Sequence, residues 1–231
     1  MKLRNTLLAA SAALACAGAA HADTVSLVAL PGITGGTLAA TGVYKADLST
    51  VSVGSILSIS IADSSAGLGG AAGQFSGFDL DAIKLSTTDC ADATCAAAAV
   101  GLSVFDFVAG AFFNPGAQRA PADPKLFGTG PAGNTVDDAV ATLGLFDGES
   151  TTAIPGAFGF LSMGDNGSIS FNLTAAVATS GLFMYIGEVG NNGEVAASTI
   201  TVSGNRVPEP GSLALASLGM LGLGLARRRR A

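Results

Sequence analysis

The sequence contains no tryptophan, and its one histidine, His21, lies close to the N-terminus. A body without histidine excludes Ser-His-Asp and Cys-His catalysis and every His-ligated metal site. Cysteine is also scarce. Of three, Cys16 falls in the N-terminal apolar run, leaving Cys90 and Cys95, too few for a four-thiolate zinc centre. Charged residues make up only 12% of the 231 residues and are unevenly placed. Lys2, Arg4, Arg227, Arg228, Arg229 and Arg230 hold six of the 11 basic residues, whereas Glu209 alone of the 17 acidic residues lies outside residues 23–206. The body therefore keeps five basic and 16 acidic residues, a net −11. Such a surface repels phosphate backbones and argues against nucleic acid; it suits cations, or a polymer bridged by cations.

Long apolar runs occur only at the two ends. Residues 1–22 place Lys2 and Arg4 before an apolar stretch, Thr6–Gly18, and finish on the small-x-small site Ala20-His21-Ala22. The pattern reads as a secretory signal peptide cleaved between Ala22 and Asp23. The stretch is too short to span a bilayer comfortably, and it has no polar face to mark a core helix. Lipoprotein processing at Cys16 is the rival reading, but the usual Leu three residues earlier is missing.

The other end reads Val207-Pro208-Glu209-Pro210, then the uncharged run Leu213–Ala226, then Arg227, Arg228, Arg229 and Arg230. The run is short for a membrane span, and the arginines would stop it on the cytoplasmic side with the body outside. In this order the three parts resemble a PEP-CTERM sorting signal. The resemblance implies that an exosortase-type membrane protease recognises and removes the tail. It further implies transient anchoring in the inner membrane of a Gram-negative, exopolysaccharide-making bacterium, and delivery to the cell surface or extracellular matrix. It covers about 25 residues and speaks to sorting alone. An ordinary C-terminal anchor would need no Pro-Glu-Pro. The expected organisation is a signal peptide at 1–22, a body at 23–206 and a sorting signal with a transmembrane helix at 207–231.

The body has the period-two alternation of strands. In Ser55–Ala62, Ile56, Ser58 and Ser60 alternate with Leu57, Ile59 and Ile61. In Phe78–Ile83, the carboxylates of Asp79 and Asp81 fall opposite the apolar face. Thr24–Val28, Gly101–Phe107, Ala139–Phe146, Ser168–Leu173, Leu182–Val189 and Thr199–Ser203 read as further strands. The whole is an all-β sandwich or jelly roll of about ten strands. Its C-terminal part, from Gly164 onward, resembles the closing strands of secreted jelly-roll domains. The Ala-rich segments 93–100 and 174–180 suit helical turns. Residues 110–135, with four of the eight prolines, read as a long surface excursion whose Phe112, Phe113 and Phe127 pack back.

Cys90 and Cys95, five residues apart in an exported chain, read as a disulfide. Phe-Asp recurs at Phe78-Asp79, Phe105-Asp106 and Phe146-Asp147. Simple alternation explains this, with Phe in the core and Asp in solvent. The sharper reading gathers Asp79, Asp81, Asp147 and Glu149 into a calcium site of hard oxygen ligands. Asp79 and Asp81 also meet the minimal requirement of a glycosidase, although Tyr44 and Tyr185 are the only tyrosines, so sugar-stacking platforms are few. The expectation is a non-enzymatic, exosortase-sorted surface or matrix protein associated with exopolysaccharide. Its competitors are a calcium-dependent carbohydrate-binding or adhesive module and, more remotely, a glycosidase.

Overall fold

Ten antiparallel strands form two five-stranded sheets in the computed structural model, which describes residues 22–64, 69–151, 158–192 and 199–204. The strands are β1 (Ala22–Ser26), β2 (Val28–Thr34), β3 (Thr41–Asp47), β4 (Ser55–Ala62), β5 (Asp79–Ser86), β6 (Ala111–Asn114), β7 (Leu161–Ser162), β8 (Ser168–Ala178), β9 (Phe183–Val189) and β10 (Thr199–Ser203). One sheet runs β1-β10-β4-β8-β6 and the other β2-β3-β9-β5-β7. Only β2 and β3 are consecutive neighbours; every other connection crosses from one sheet to the other.

One apolar core lies between the sheets. Ile56, Ile59 and Ile61 from β4, Ile169, Phe171 and Leu173 from β8, and Ile200 and Val202 from β10 meet Leu80, Ile83 and Leu85 from β5 and Met184 and Ile186 from β9. Strict alternation separates Ile56 from Ile59 and Ile61, yet all three are buried in this core. The reason is a bulge, since the β4–β8 register slips between Ile56 and Ser58 and returns the chain to the same face. Phe105 and Phe107 stack at 5.4 Å and meet the Phe171 ring edge-on. Such aromatic arrangements add to the burial energy of the rings.

A second, smaller core covers the outer face of the other sheet. Val43, Ala82 and Tyr185 there lie beneath Phe146, Cys90, Ala93 and Ala96. The covering segment is a short helix, Ala93–Ala98, matching the helical turn expected at 93–100. Asp92 caps its start by accepting from the Cys95 N–H at 2.8 Å, and Cys90 is disulfide-bonded to Cys95. Tyr185 fastens the approach: its hydroxyl accepts from the Cys90 N–H at 2.9 Å and donates to the Thr88 carbonyl at 2.6 Å.

Three segments depart from the sequence reading. Gly101–Phe107 forms no strand. It lies along β8 through single bonds such as Thr174 N–H to the Val104 carbonyl at 2.8 Å, enough to place both phenyl rings but not to build a ladder. Ala139–Phe146 holds a one-turn helix, Asp138–Ala141, stopped by Thr142 in the left-handed region at φ 47°. The Leu143 N–H then donates back to the Asp138 carboxylate at 3.0 Å. The Ala-rich 174–180 is no helical turn, because β8 continues through it to Ala178, held by β4 at Ser55 and Ile56. Within 110–135, β6 adds an edge strand, Phe113 packs on the core, and Phe127 stacks against Phe160 with centroids 4.5 Å apart. Residues 1–21, which hold most of the expected signal peptide, and the tail beyond Gly204 lie outside the described residues.

Candidate functional site

The first and last strands of the body are neighbours. β1 pairs with β10 so that Ala22 faces Ser203 and Asp23 faces Val202. Asp23 is fastened further, accepting from the Ser52 hydroxyl at 2.8 Å and the Val53 N–H at 3.0 Å. The expected cleavage point, Ala22–Asp23, thus falls at the first strand residue, beside the strand that leads into the tail. Paired residues of an antiparallel ladder have Cα atoms only ~4.5–5.5 Å apart. The described body therefore begins and ends side by side at one sheet edge.

Val207, Pro208, Glu209, Pro210 and the four arginines lie beyond the described residues, as does the run Leu213–Ala226. Among the described residues no helix is long and apolar enough to cross a membrane.

The four acidic residues expected to gather at one site divide into two pairs. Asp81 is completely buried on β5. It accepts from the Thr41 hydroxyl on β3 and from the Gly148 N–H at 3.0 Å, and it is hydrogen-bonded to Asp147. Burial first, and then the charge of Asp147, pushes the Asp81 carboxyl up to about 8. Burial also raises Asp147, while the Thr142 hydroxyl at 3.1 Å and the bond from Asp81 favour its ionised form. The protonated member is therefore Asp81, donating to an Asp147 carboxylate. Glu188 on β9 is also fully buried, although it sits in the otherwise apolar run Leu182–Val189. A lone acid in such a run is the signal by which the sequence could have pointed to it.

Asp79 and Glu149 belong elsewhere. Asp79 is buried and accepts from the Ser162 hydroxyl on β7. It lines a cavity of ≈ 170 Å³ with Glu149, Phe75, Phe160 and Asn192. The sequence placed Asp79 and Asp81 on a solvated face. The structure buries both, because the segment 142–150 lies over that part of β5 and bonds to it, with the Ile83 N–H donating to the Leu143 carbonyl at 3.0 Å. Of the three Phe-Asp pairs, only Phe105-Asp106 keeps the expected pattern, with Phe105 packed on the core and Asp106 exposed. Among the described residues no group of three or more His, Cys, Asp or Glu is placed to hold a metal ion.

Residues 206–230 match the PEP-CTERM protein-sorting motif. The motif marks an exported protein that is anchored transiently in the membrane and sorted by an exosortase. It covers the tail alone, and the rest of the chain brings no relative with it: no curated protein and no solved structure matches.

Proposed function

We propose that the protein is a non-enzymatic component of the bacterial surface or extracellular matrix, associated with exopolysaccharide and delivered there after removal of a leader at Ala22–Asp23 and of the PEP-CTERM tail. One observation carries this reading. The sorting motif, at residues 206–230, follows on a sandwich whose first and last described strands are paired, so the body begins and ends at the same edge. A body built this way folds on one side of a membrane while held at that edge, and the opposite end faces outward.

The strand order supports a jelly roll. With β2 and β6 set aside as additions, β1-β10-β4-β8 faces β3-β9-β5-β7. Of the two carboxylates in the glycosidase reading, Asp81 has no exposed surface, which speaks against its reaching a substrate as general acid or base. Fractionation tests the proposal. The processed protein should co-purify with extracellular polymer from the producing strain and appear free in the medium of a strain unable to make polymer. Free protein in both strains would refute the association.

A second reading, a carbohydrate-binding or adhesive module, is favoured by the cavity lined by Asp79 and Glu149, with Phe75 and Phe160 as aromatic walls.

A further inference from the structure

A larger cavity, of ≈ 470 Å³, lies where the chain passes from one sheet to the other. β1 and β2 are edge strands of different sheets, and Leu27 alone separates them. The turn leaves a concavity that Thr24 and Ser26 of β1, Val28 and Leu30 of β2, and Lys45 and Asp47 of β3 line together. Its size falls within the ~300–1,000 Å³ of small-molecule sites. We infer that it binds one neutral sugar unit of a polysaccharide. The inference rests on the polymer association proposed above and deepens it by naming the place of contact.

The hydrogen-bonding groups of this cavity are open. Among the described residues the exposed hydroxyls of Thr24 and Ser26 have no partner. Alternate positions on a strand put them on one face, ~7 Å apart. Asp47 accepts from the Ser49 N–H at 2.9 Å and the Ser49 hydroxyl at 2.6 Å, both at Oδ1, which leaves Oδ2 for a ligand. Those two bonds first, and then the charge of Lys45, hold the Asp47 carboxyl below its ordinary value. Lys45 spends two of its three N–H groups, on Asp89 and on the Cys90 carbonyl. The cavity thus presents donors and acceptors together, and a sugar hydroxyl, which both donates and accepts, uses both. Val28 and Leu30 add an aliphatic wall for the C–H groups of the ring.

Charge selects a neutral ligand. Lys45 is paired with Asp89, and Asp47 adds a second carboxylate, so no surplus positive charge awaits an anion. An incoming ammonium group would meet that of Lys45. The frame is fixed before any ligand arrives. Val28 pairs with Lys45 across β2 and β3, and the Lys45 ammonium lies 4.9 Å from the Phe183 ring centroid. Cys90, on the rim, is held by its bond to Cys95 and by the Tyr185 hydroxyl, which accepts from its N–H at 2.9 Å. A preorganised site loses little ordering entropy on binding.

A sugar shares its hydroxyls with simple polyols, so the test separates the two. The full chain, disulfide intact, is titrated with methyl glucoside, methyl galactoside, glucuronate and glycerol at matched ionic strength while its backbone amides are followed by NMR. We expect at least one glycoside to give saturable millimolar shifts at Thr24, Ser26 and Lys45, and glucuronate and glycerol to bind more weakly. Thr24→Val combined with Ser26→Ala should weaken glycoside binding roughly fivefold or more. The melting temperature should not change, because neither hydroxyl bonds within the described protein. Val28→Ala should weaken binding through the aliphatic wall. Glucuronate binding as tightly as the glycosides would overturn the neutral assignment, and glycerol doing so would overturn the sugar assignment. No saturable shift with either glycoside, or binding untouched by both variants, would overturn the site. Co-purification with polymer would in that case leave the surface reading standing, with its contact elsewhere on the protein.

Discussion

Asp81 and Asp147 share one proton between β5 and the loop that follows Thr142. Thr41 from β3 and the Gly148 N–H complete the surroundings, so one proton ties two strands to a covering loop. Its pH signature is opposite in sign to that of an ordinary salt-bridged carboxylate. The folded Asp81 titrates near 8, against an ordinary value of 3.8, so the native state holds a proton that the unfolded chain has released. The contribution is fully present below the ordinary value and is lost as pH rises through the folded value. We expect the melting temperature of Asp81→Asn, measured relative to wild type, to climb between about pH 4 and pH 8 and then level off. A difference independent of pH would contradict the shared proton.

Lys84 closes the disulfide-bearing helix. Its ammonium donates to the carbonyls of Ala96, Ala97 and Ala99 at 3.0, 2.7 and 3.0 Å and lies 5.0 Å from the Phe146 ring centroid. All three donors are used on the last turn, where orphan carbonyls need partners. Lys84→Met keeps the stem and removes the donors. Urea unfolding should record a loss of about 2 kcal/mol, with faster amide exchange at Ala99. A loss below about 0.5 kcal/mol would place the lysine with surface residues of no structural weight.

Calcium should stabilise the protein no more than magnesium does. The expected ligands are split, with Asp81 and Asp147 sharing a proton while Asp79 and Glu149 line a partly aromatic cavity. Among the described residues, what remains for divalent ions is screening of an acidic surface, which either ion supplies. Thermal unfolding with each chloride at equal ionic strength reads this directly, and a clearly larger shift with calcium would contradict the arrangement described.

Period-two alternation located β4, β5, β8, β9 and β10, because Val, Ile, Leu and Phe mark the face each turns to the core between the sheets, although β5 and β9 are buried on both faces. It failed where a residue's partner is distant in sequence. β2 is an edge strand with Val28 and Ile33 exposed, so no apolar face announces it. β3 carries Lys45 and Asp47 beside Val43, and its burial depends on the segment 88–96 folding over it. Asp81 was legible as a carboxylate but not as a buried one, since the loop that covers it lies more than 60 residues away. The disulfide and the sorting motif were legible because each is local: five residues separate the cysteines, and one continuous run holds the tail signal.

The PEP-CTERM tail decides where the protein is delivered. Replacing Pro208-Glu209-Pro210 by three alanines leaves the body, its disulfide and the β1–β10 pairing untouched. Export should continue, and the protein should accumulate in the inner membrane with its tail attached, seen as a heavier species in membrane fractions by intact mass. Normal tail removal and normal delivery of that variant would contradict the sorting account.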